Sequence, residues 1–447
     1  MKNLNLNFGF RTISNEGRFD NSDFNSWNVR TNLRWNPSDL SSISLLYNFL
    51  NFGNSHNGGI DVEASEDPFD PINSFVRFQD FRSRKFINNI QLSYSLLPDE
   101  DSTTSIYASL KYRNTENNFK SGNDFYFNKE DSIDQVSGAM NSINGYLNVQ
   151  QNIFGAVKFS AGGDAEYIDI PSILTANKSS YFNLNAFSKI KVNIIKDLGL
   201  STGFRFNNKY GKTYITGGSK LFHKKTNYSA AFDLSFSQTT GNLFQSDLLN
   251  EKHVLSLFEL NLDVSPLKFK TDIYLRNVID PIFSELTGEY SLDSVSSYNA
   301  DNMRVLGANI TVSSKIFNLL NMSLNLKYNN TVINSERYKL YPEFSGSINS
   351  FYEYELPRSY LRAGFDFKFF TSHKHHGYIP VYEIYYMNNE MSGFSTNGLD
   401  LYLSARLGRA YVKATMQNVL SQDYYYVYLY PQTGRNLRLS VSWSFFD

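Results

Sequence analysis

Cysteine is absent from the 447 residues, which removes disulfide frameworks, thiolate metal sites and cysteine nucleophiles together. An excess of charge of either sign is lacking as well: the formal net charge is −1, so no basic field favours nucleic acid and no acidic field calls for a cationic partner. Proline is scarce, with 11 residues spread over the chain. No run of about 18 apolar residues occurs, which excludes membrane-spanning helices on length alone. Neither a G-x-S-x-G elbow, an H-E-x-x-H pair nor a phosphate-cradling glycine loop is present, so neither catalysis nor a cofactor is expected.

What the chain does have is aromatic residues, 37 Phe and 31 Tyr, amid many Asn and Ser, a mixture that favours strands joined by polar loops. Those strands show in a period of two. Trp27, Val29, Thr31, Leu33 and Trp35 fall on one face, with Asn28, Arg30, Asn32 and Arg34 on the other. Ile106, Ala108, Leu110 and Tyr112 oppose Tyr107, Ser109, Lys111 and Arg113 in the same way, as do Leu399, Leu401, Leu403, Ala405 and Leu407 against Asp400, Tyr402, Ser404 and Arg406. The first residues, Met1 to Gly17, already alternate and read as a strand rather than as a signal peptide. A large soluble β-sandwich or propeller alternates too, but these segments are long for soluble strands and carry charges deep within them, and about 9 to 11 residues suffice to cross hydrocarbon at a tilt. The expected fold is all-β: one transmembrane antiparallel β-barrel domain over residues 1–447, of about twenty strands, surrounded by the lipid of a bacterial outer membrane.

Connections follow the rhythm of such barrels, in which short periplasmic turns alternate with longer external loops. Short links fall near residues 36–39, 98–101, 152–155, 196–199, 223–225, 265–267, 317–319, 372–375 and 407–409. Longer ones are expected at about 54–80, 119–141, 169–180, 240–252, 281–300, 336–356 and 421–433.

The C-terminal stretch Gln417-Asn418-Val419-Leu420, then Tyr430-Pro431-Gln432-Thr433-Gly434-Arg435 and a final alternating strand, resembles the closing two strands of TonB-dependent receptors. Phe258-Glu259-Leu260-Asn261, Asp272-Ile273-Tyr274-Leu275-Arg276-Asn277, Val305-Leu306-Gly307-Ala308-Asn309 and Leu356-Pro357-Arg358-Ser359 look like earlier strand motifs of the same barrels, in the same order. The resemblance is good over roughly residues 180–447 and is one of pattern before that. It implies a barrel of 22 strands, about two more than the alternation yields, and uptake of a scarce substrate such as an iron chelate, a vitamin or an oligosaccharide. It also implies that Leu437, Leu439, Val441, Trp443 and Phe445 form the β-signal read by the barrel-assembly machinery, and that TonB delivers energy through a plug domain that has no counterpart in this sequence. The alternative function is a passive porin or a structural, surface-binding barrel.

Candidate sites follow from the polar face. Arg30, Arg34, Lys111, Arg113, Lys189, Lys191, Asp272, Arg276, Arg304 and Glu383 are expected to face the lumen, either selecting a solute or pairing with one another to stiffen the wall. His373, His375 and His376 have a spacing able to hold a metal, but without an adjacent carboxylate they read as a periplasmic turn. Asp61, Glu63, Glu66, Asp67 and Asp70 offer oxygen ligands in the first long loop, in no EF-hand pattern, and so read as an ordinary acidic loop. Tyr424, Tyr425, Tyr426, Tyr428 and Tyr430 suit either stacking on a planar ligand or an external aromatic girdle.

Overall fold

A computed structural model describes residues 3–98, 103–120, 135–170, 180–241, 248–286, 295–317, 319–379, 384–388 and 396–443. Among them no helix occurs, and twenty strands of 8 to 19 residues form one antiparallel sheet. In chain order these are β1 (Leu4–Asn15), β2 (Phe24–Ser38), β3 (Ser41–Ser55), β4 (Arg82–Leu96), β5 (Thr104–Lys120), β6 (Gln135–Ile153) and β7 (Val157–Asp169). Next come β8 (Ser180–Ile195), β9 (Leu198–Lys209), β10 (Lys212–Lys224), β11 (Tyr228–Thr239), β12 (Glu251–Val264), β13 (Leu267–Ile279) and β14 (Asn302–Ile316). The last six are β15 (Leu320–Ile333), β16 (Phe344–Leu356), β17 (Ser359–Phe370), β18 (Thr396–Leu407), β19 (Ala410–Gln417) and β20 (Asn436–Trp443). Each pairs with the next in a simple meander, and the two-residue strand Glu336–Arg337 leans on β15 as a twenty-first member.

Alternation along the strands explains which face is which. Leu110 pairs with Leu92, Leu403 with Ala363 and Leu439 with Ala414, so apolar side chains line up row by row on the outside of the sheet. They are bare: Leu6, Phe8, Leu110, Phe182, Phe204, Leu403 and Leu437 are all more than 40% exposed. In a β-sandwich the same side chains would be shut between two sheets. Here the largest fully buried side chains, Phe81, Ile60, Ile170 and His375 among them, lie in or beside the loops. An apolar band with nothing packed on it belongs in hydrocarbon, where the ladders between paired strands satisfy their facing backbone groups.

Nine short turns gather at one end of the sheet; the other end carries the long connections and one further tight turn, Tyr210–Gly211 between β9 and β10. The β16–β17 turn differs from the expected arrangement. Residues 344–356 are a strand, not a loop; the tight turn is Leu356–Ser359, with Arg358 in the left-handed region at φ 65°, and residues 371–375 belong to a long connection at the opposite end.

Closure is reported by the loops. The Arg18 guanidinium, between β1 and β2, donates to the Gln432 carbonyl, between β19 and β20, at 2.7 Å, and to the Phe69 carbonyl at 2.8 Å. First and last hairpins therefore meet, and the sheet wraps into a barrel. The expected edge-to-edge seal is not observed among the described residues: β1 pairs with β2 alone and β20 with β19 alone. A seam remains between them, and twenty strands are two fewer than the 22 implied by the resemblance.

Candidate functional site: polar wall, mouth cavity and loop cap

The inner face is polar because it meets water rather than lipid. The strand register sets Arg30, Asn48, Asn89, Arg113 and Ser142 in one row across β2 to β6. The next row toward the turns holds Asn32, Leu46, Gln91, Lys111 and Asn144. Arg34, Lys189, Lys191, Asp272 and Arg276 likewise stand on the side opposite the apolar rows. Arg304 does not. It pairs with Asn277 and Val332 and shares the outer face with Leu306 and Ile273. Its neighbour Val305 points inward and is buried, so the alternation inverts where the loops cover the wall and the outer face has left hydrocarbon. Glu383 and Phe445 lie outside the described residues, while Leu437, Leu439, Val441 and Trp443 all sit on the outer face, 60–74% exposed.

From β7 to β17 the wall holds four ion pairs among the described residues. Arg205 meets Asp164 at 2.8 Å, Lys268 meets Asp263 at 3.3 Å, and Lys220–Glu259 and Arg362–Glu353 are further ion pairs. Asn309 donates to Asp272 at 2.9 Å, and Asn185 to Asp164 at 2.8 Å. Glycines on this wall admit rings from the neighbouring strand: a Cβ on Gly307 would fall 2.1 Å from the Tyr274 ring, its register partner.

At the loop end of β11 to β14 the wall opens into a cavity of about 500 Å³, lined by Glu251, His253, Arg276, Ser284, Tyr341 and His376. Its roof is a small sheet built from two loops, in which the hairpin Ile282–Leu286/Val295–Asn299 meets the hairpin His376–Ile379/Ile384–Met387. Arg276 Nη2 donates to His253 Nδ1 at 2.9 Å. The imidazole proton must then sit on Nε2, which faces Thr239 Oγ1 at 3.1 Å and Glu251 Oε2 at 3.3 Å. That arrangement cannot activate the threonine, because the nitrogen beside the hydroxyl already carries a proton. Glu251 Oε1 instead accepts the Ile282 amide at 2.8 Å and ties the roof to the wall.

Beyond the cavity the loops interlock around a core of their own, made of Ile60, Phe78, Phe81, Leu429, His375 and Tyr425, each at most 6% exposed. Backbone bonds stitch it together: the Ile60 amide donates to Leu429 at 2.8 Å and the Tyr428 amide to His376 at 3.0 Å. His373 and His375 stack edge to face at 4.9 Å within this cap, at the opposite end from the periplasmic turn expected for them. Burial lowers the pKa of His375 to about 4 and also lowers those of His373 and His376. No group of three or more potential ligands that could hold a metal occurs among the described residues. Of the five tyrosines, Tyr425 is buried in this cap, 4% exposed and packed on Phe69 at 4.9 Å, with burial raising its pKa to about 12, whereas Tyr426 is 53% exposed. In the acidic loop, Asp61, Asp67 and Asp70 spend their carboxylates on the amides of Glu63, Phe69 and Ile72.

At Gly59 two loops come close together. The glycine's φ is +87°, and a Cβ there would lie 2.5 Å from the Leu429 Cβ. Gly59→Val is expected to part the 56–81 and 418–435 loops at a cost of about 1 to 3 kcal/mol, seen as faster protease nicking in these loops with the barrel intact. Unchanged nicking would mean that the loops do not depend on this contact.

Three solved structures share the architecture. The copper transporter OprC superposes with a TM-score of 0.77, covering 98% of this chain and 76% of that one at 14% identity. The ferric enterobactin receptor PfeA of Pseudomonas aeruginosa gives 0.74 at 13% identity, over 99% of this chain and 75% of that one. The ferric yersiniabactin uptake receptor FyuA of Yersinia pestis gives 0.75 at 11%, over 99% and 76%. The chain thus has the large outer-membrane barrel fold that TonB-dependent receptors share. No protein-family model and no curated protein matches it.

Proposed function

We propose that the chain is a single transmembrane barrel domain of the bacterial outer membrane that works in energised uptake of a scarce solute; the structures it resembles include a ferric enterobactin receptor and a ferric yersiniabactin uptake receptor. The iron chelate, vitamin or oligosaccharide class expected from the sequence remains the substrate range. The observation carrying this reading is the cap. Loops from β11 round to β4 interlock over their own core and roof a polar cavity, which suits capture of a particular solute better than free diffusion. Lipid would surround the apolar face, the barrel-assembly machinery would read the last strand, and TonB would act through a plug domain.

Cells producing the protein should take up a ferric chelate, a cobalamin or an oligosaccharide with saturable kinetics, and uptake should stop when the proton gradient is collapsed. Influx linear in concentration that survives the uncoupler would establish the passive porin instead.

A further inference from the structure

The apolar outer face is not equally full along its length. From β8 to β12 one outward row nearer the loops holds Ala186, Phe206 and Ile215, and one nearer the turns holds Val192, Leu200, Leu221, Phe232 and Phe258. Between them run two rows with small residues at their centres: Ser188, Phe204, Gly217, Phe236 in the first, and Ile190, Thr202, Ser219, Leu234 in the second. The wall is therefore recessed there by about 480 Å³, with Ser188, Thr202, Gly217 and Ser219 as the floor. Phe204, 61% exposed, and Leu234, 49% exposed, stand at the sides, and the Phe236 ring leans over Gly217, its Cε1 3.3 Å from where a Cβ would be. Two floor hydroxyls are satisfied within the wall: Ser219 Oγ donates to Thr202 Oγ1 at 2.9 Å, and Thr202 Oγ1 donates to the Gly218 carbonyl at 3.2 Å. They ask nothing of a visitor, so the recess offers it apolar contact.

We propose that this recess seats one acyl chain of a membrane lipid, held in place of the side chains that fill the rows on either side. Depth decides the chemistry. Thr202 and Phe204 lie four and six residues from Leu198 at the turn. On a strand tilted by about 40° that is roughly 10 to 15 Å into a hydrocarbon core about 30 Å thick, where tails reach and headgroups do not. The recess is continuous with the band that lipid covers, and its volume lies in the range of about 300 to 1,000 Å³ typical of ligand pockets. A second copy of the chain fits it less well: two convex barrel walls touch along a line, and Phe204 and Leu234 would hold the other wall off the floor, whereas a flexible chain reaches it. The inference goes beyond the transport reading and stands whether or not a solute crosses.

The test begins with native mass spectrometry of the whole protein released from nanodiscs of dipalmitoyl phosphatidylcholine or dipalmitoyl phosphatidylglycerol. One lipid should stay bound through removal of the rest, equally with either headgroup. T202L/S219L fills the recess with side chains and adds only lipid-facing apolar surface, so the barrel should still assemble and the retained lipid should be lost. A second measurement needs no change to the recess floor. A bimane on a single cysteine at Ile215, beside the floor, should be quenched saturably by stearic acid carrying a nitroxide near its chain end. The same label at Leu45, whose row neighbours are Leu33 and Leu92, should be quenched in simple proportion to the nitroxide content of the bilayer. A lipid retained equally by T202L/S219L, retention that follows the headgroup, or proportional quenching at both positions overturns the acyl site. So does a dimer that T202L/S219L dissociates, which would put a second copy of the chain on the recess.

Discussion

Leu403→Arg should cost the folded barrel about 2 to 4 kcal/mol, whereas Ser440→Arg, a comparable change on the water side, should cost little. Leu403 is 51% exposed in the isolated chain and stands opposite Ala363 on the apolar face. In a bilayer that exposure is contact with hydrocarbon, and a guanidinium there must be dehydrated or drag water and headgroups inward. Ser440 pairs with Lys413 on the inner face and is itself exposed, so a longer cation has water to reach. Ser404, the chain neighbour of Leu403, would be a poor control because it is 2% exposed between Arg362 and Lys413. Unfolding by urea from lipid vesicles reads the difference; equal losses at both sites would contradict the assigned facing.

Acid should loosen the loop cap. His375 and His56 are both held neutral by burial, with pKa values lowered to about 4 from the ordinary 6.5. His56 accepts from Asn54 on Nδ1 and lies 2.7 Å from Ser83 Oγ through Nε2, while His375 packs among His373, His376 and Tyr425. A histidine whose packed form has the lower pKa stabilises the packed state fully above pH 6.5. As the pH falls below that, the opened loop binds a proton that the closed one refuses, and stability drains until about pH 4. Each histidine contributes at most about 1.4 kcal/mol per pH unit in that window. Hydrogen exchange in the loops should therefore quicken between pH 6.5 and 4.5 while the strands stay protected. A double variant, His56→Gln with His375→Leu, should lose the dependence. Equal pH response in both proteins would show that other groups govern the cap.

Much of this was legible in the residues. The period of two located most strands because each side of the sheet has a single solvent over its whole length. It failed at β16, whose outer row contains Gly346 and Ser350 and so reads as loop. The Phe369 ring of the next strand covers Gly346, and its nearest ring atom would lie 2.7 Å from an added Cβ, so cross-strand packing supplies the apolar surface that the segment lacks. That slip displaced the histidines to the wrong end of the barrel. Arg304 was misplaced because alternation is enforced only where hydrocarbon reaches. Contacts such as Arg18 to Gln432 or Ile60 to Leu429 join residues hundreds of positions apart, and no local pattern encodes them. The mouth cavity depends on the same long-range folding of loops.

The absence of cysteine makes the decisive measurement a clean one. Single cysteines placed from position 106 to 113, across the middle of β5, can carry a fluorophore in reconstituted vesicles. Labels at Ile106, Ala108, Leu110 and Tyr112 should be quenched by nitroxide lipids, and those at Tyr107, Ser109, Lys111 and Arg113 by aqueous iodide, with strict alternation. Loss of that alternation, or shielding of the even positions from both quenchers as in stacked sheets, would contradict a barrel wall between lipid and water.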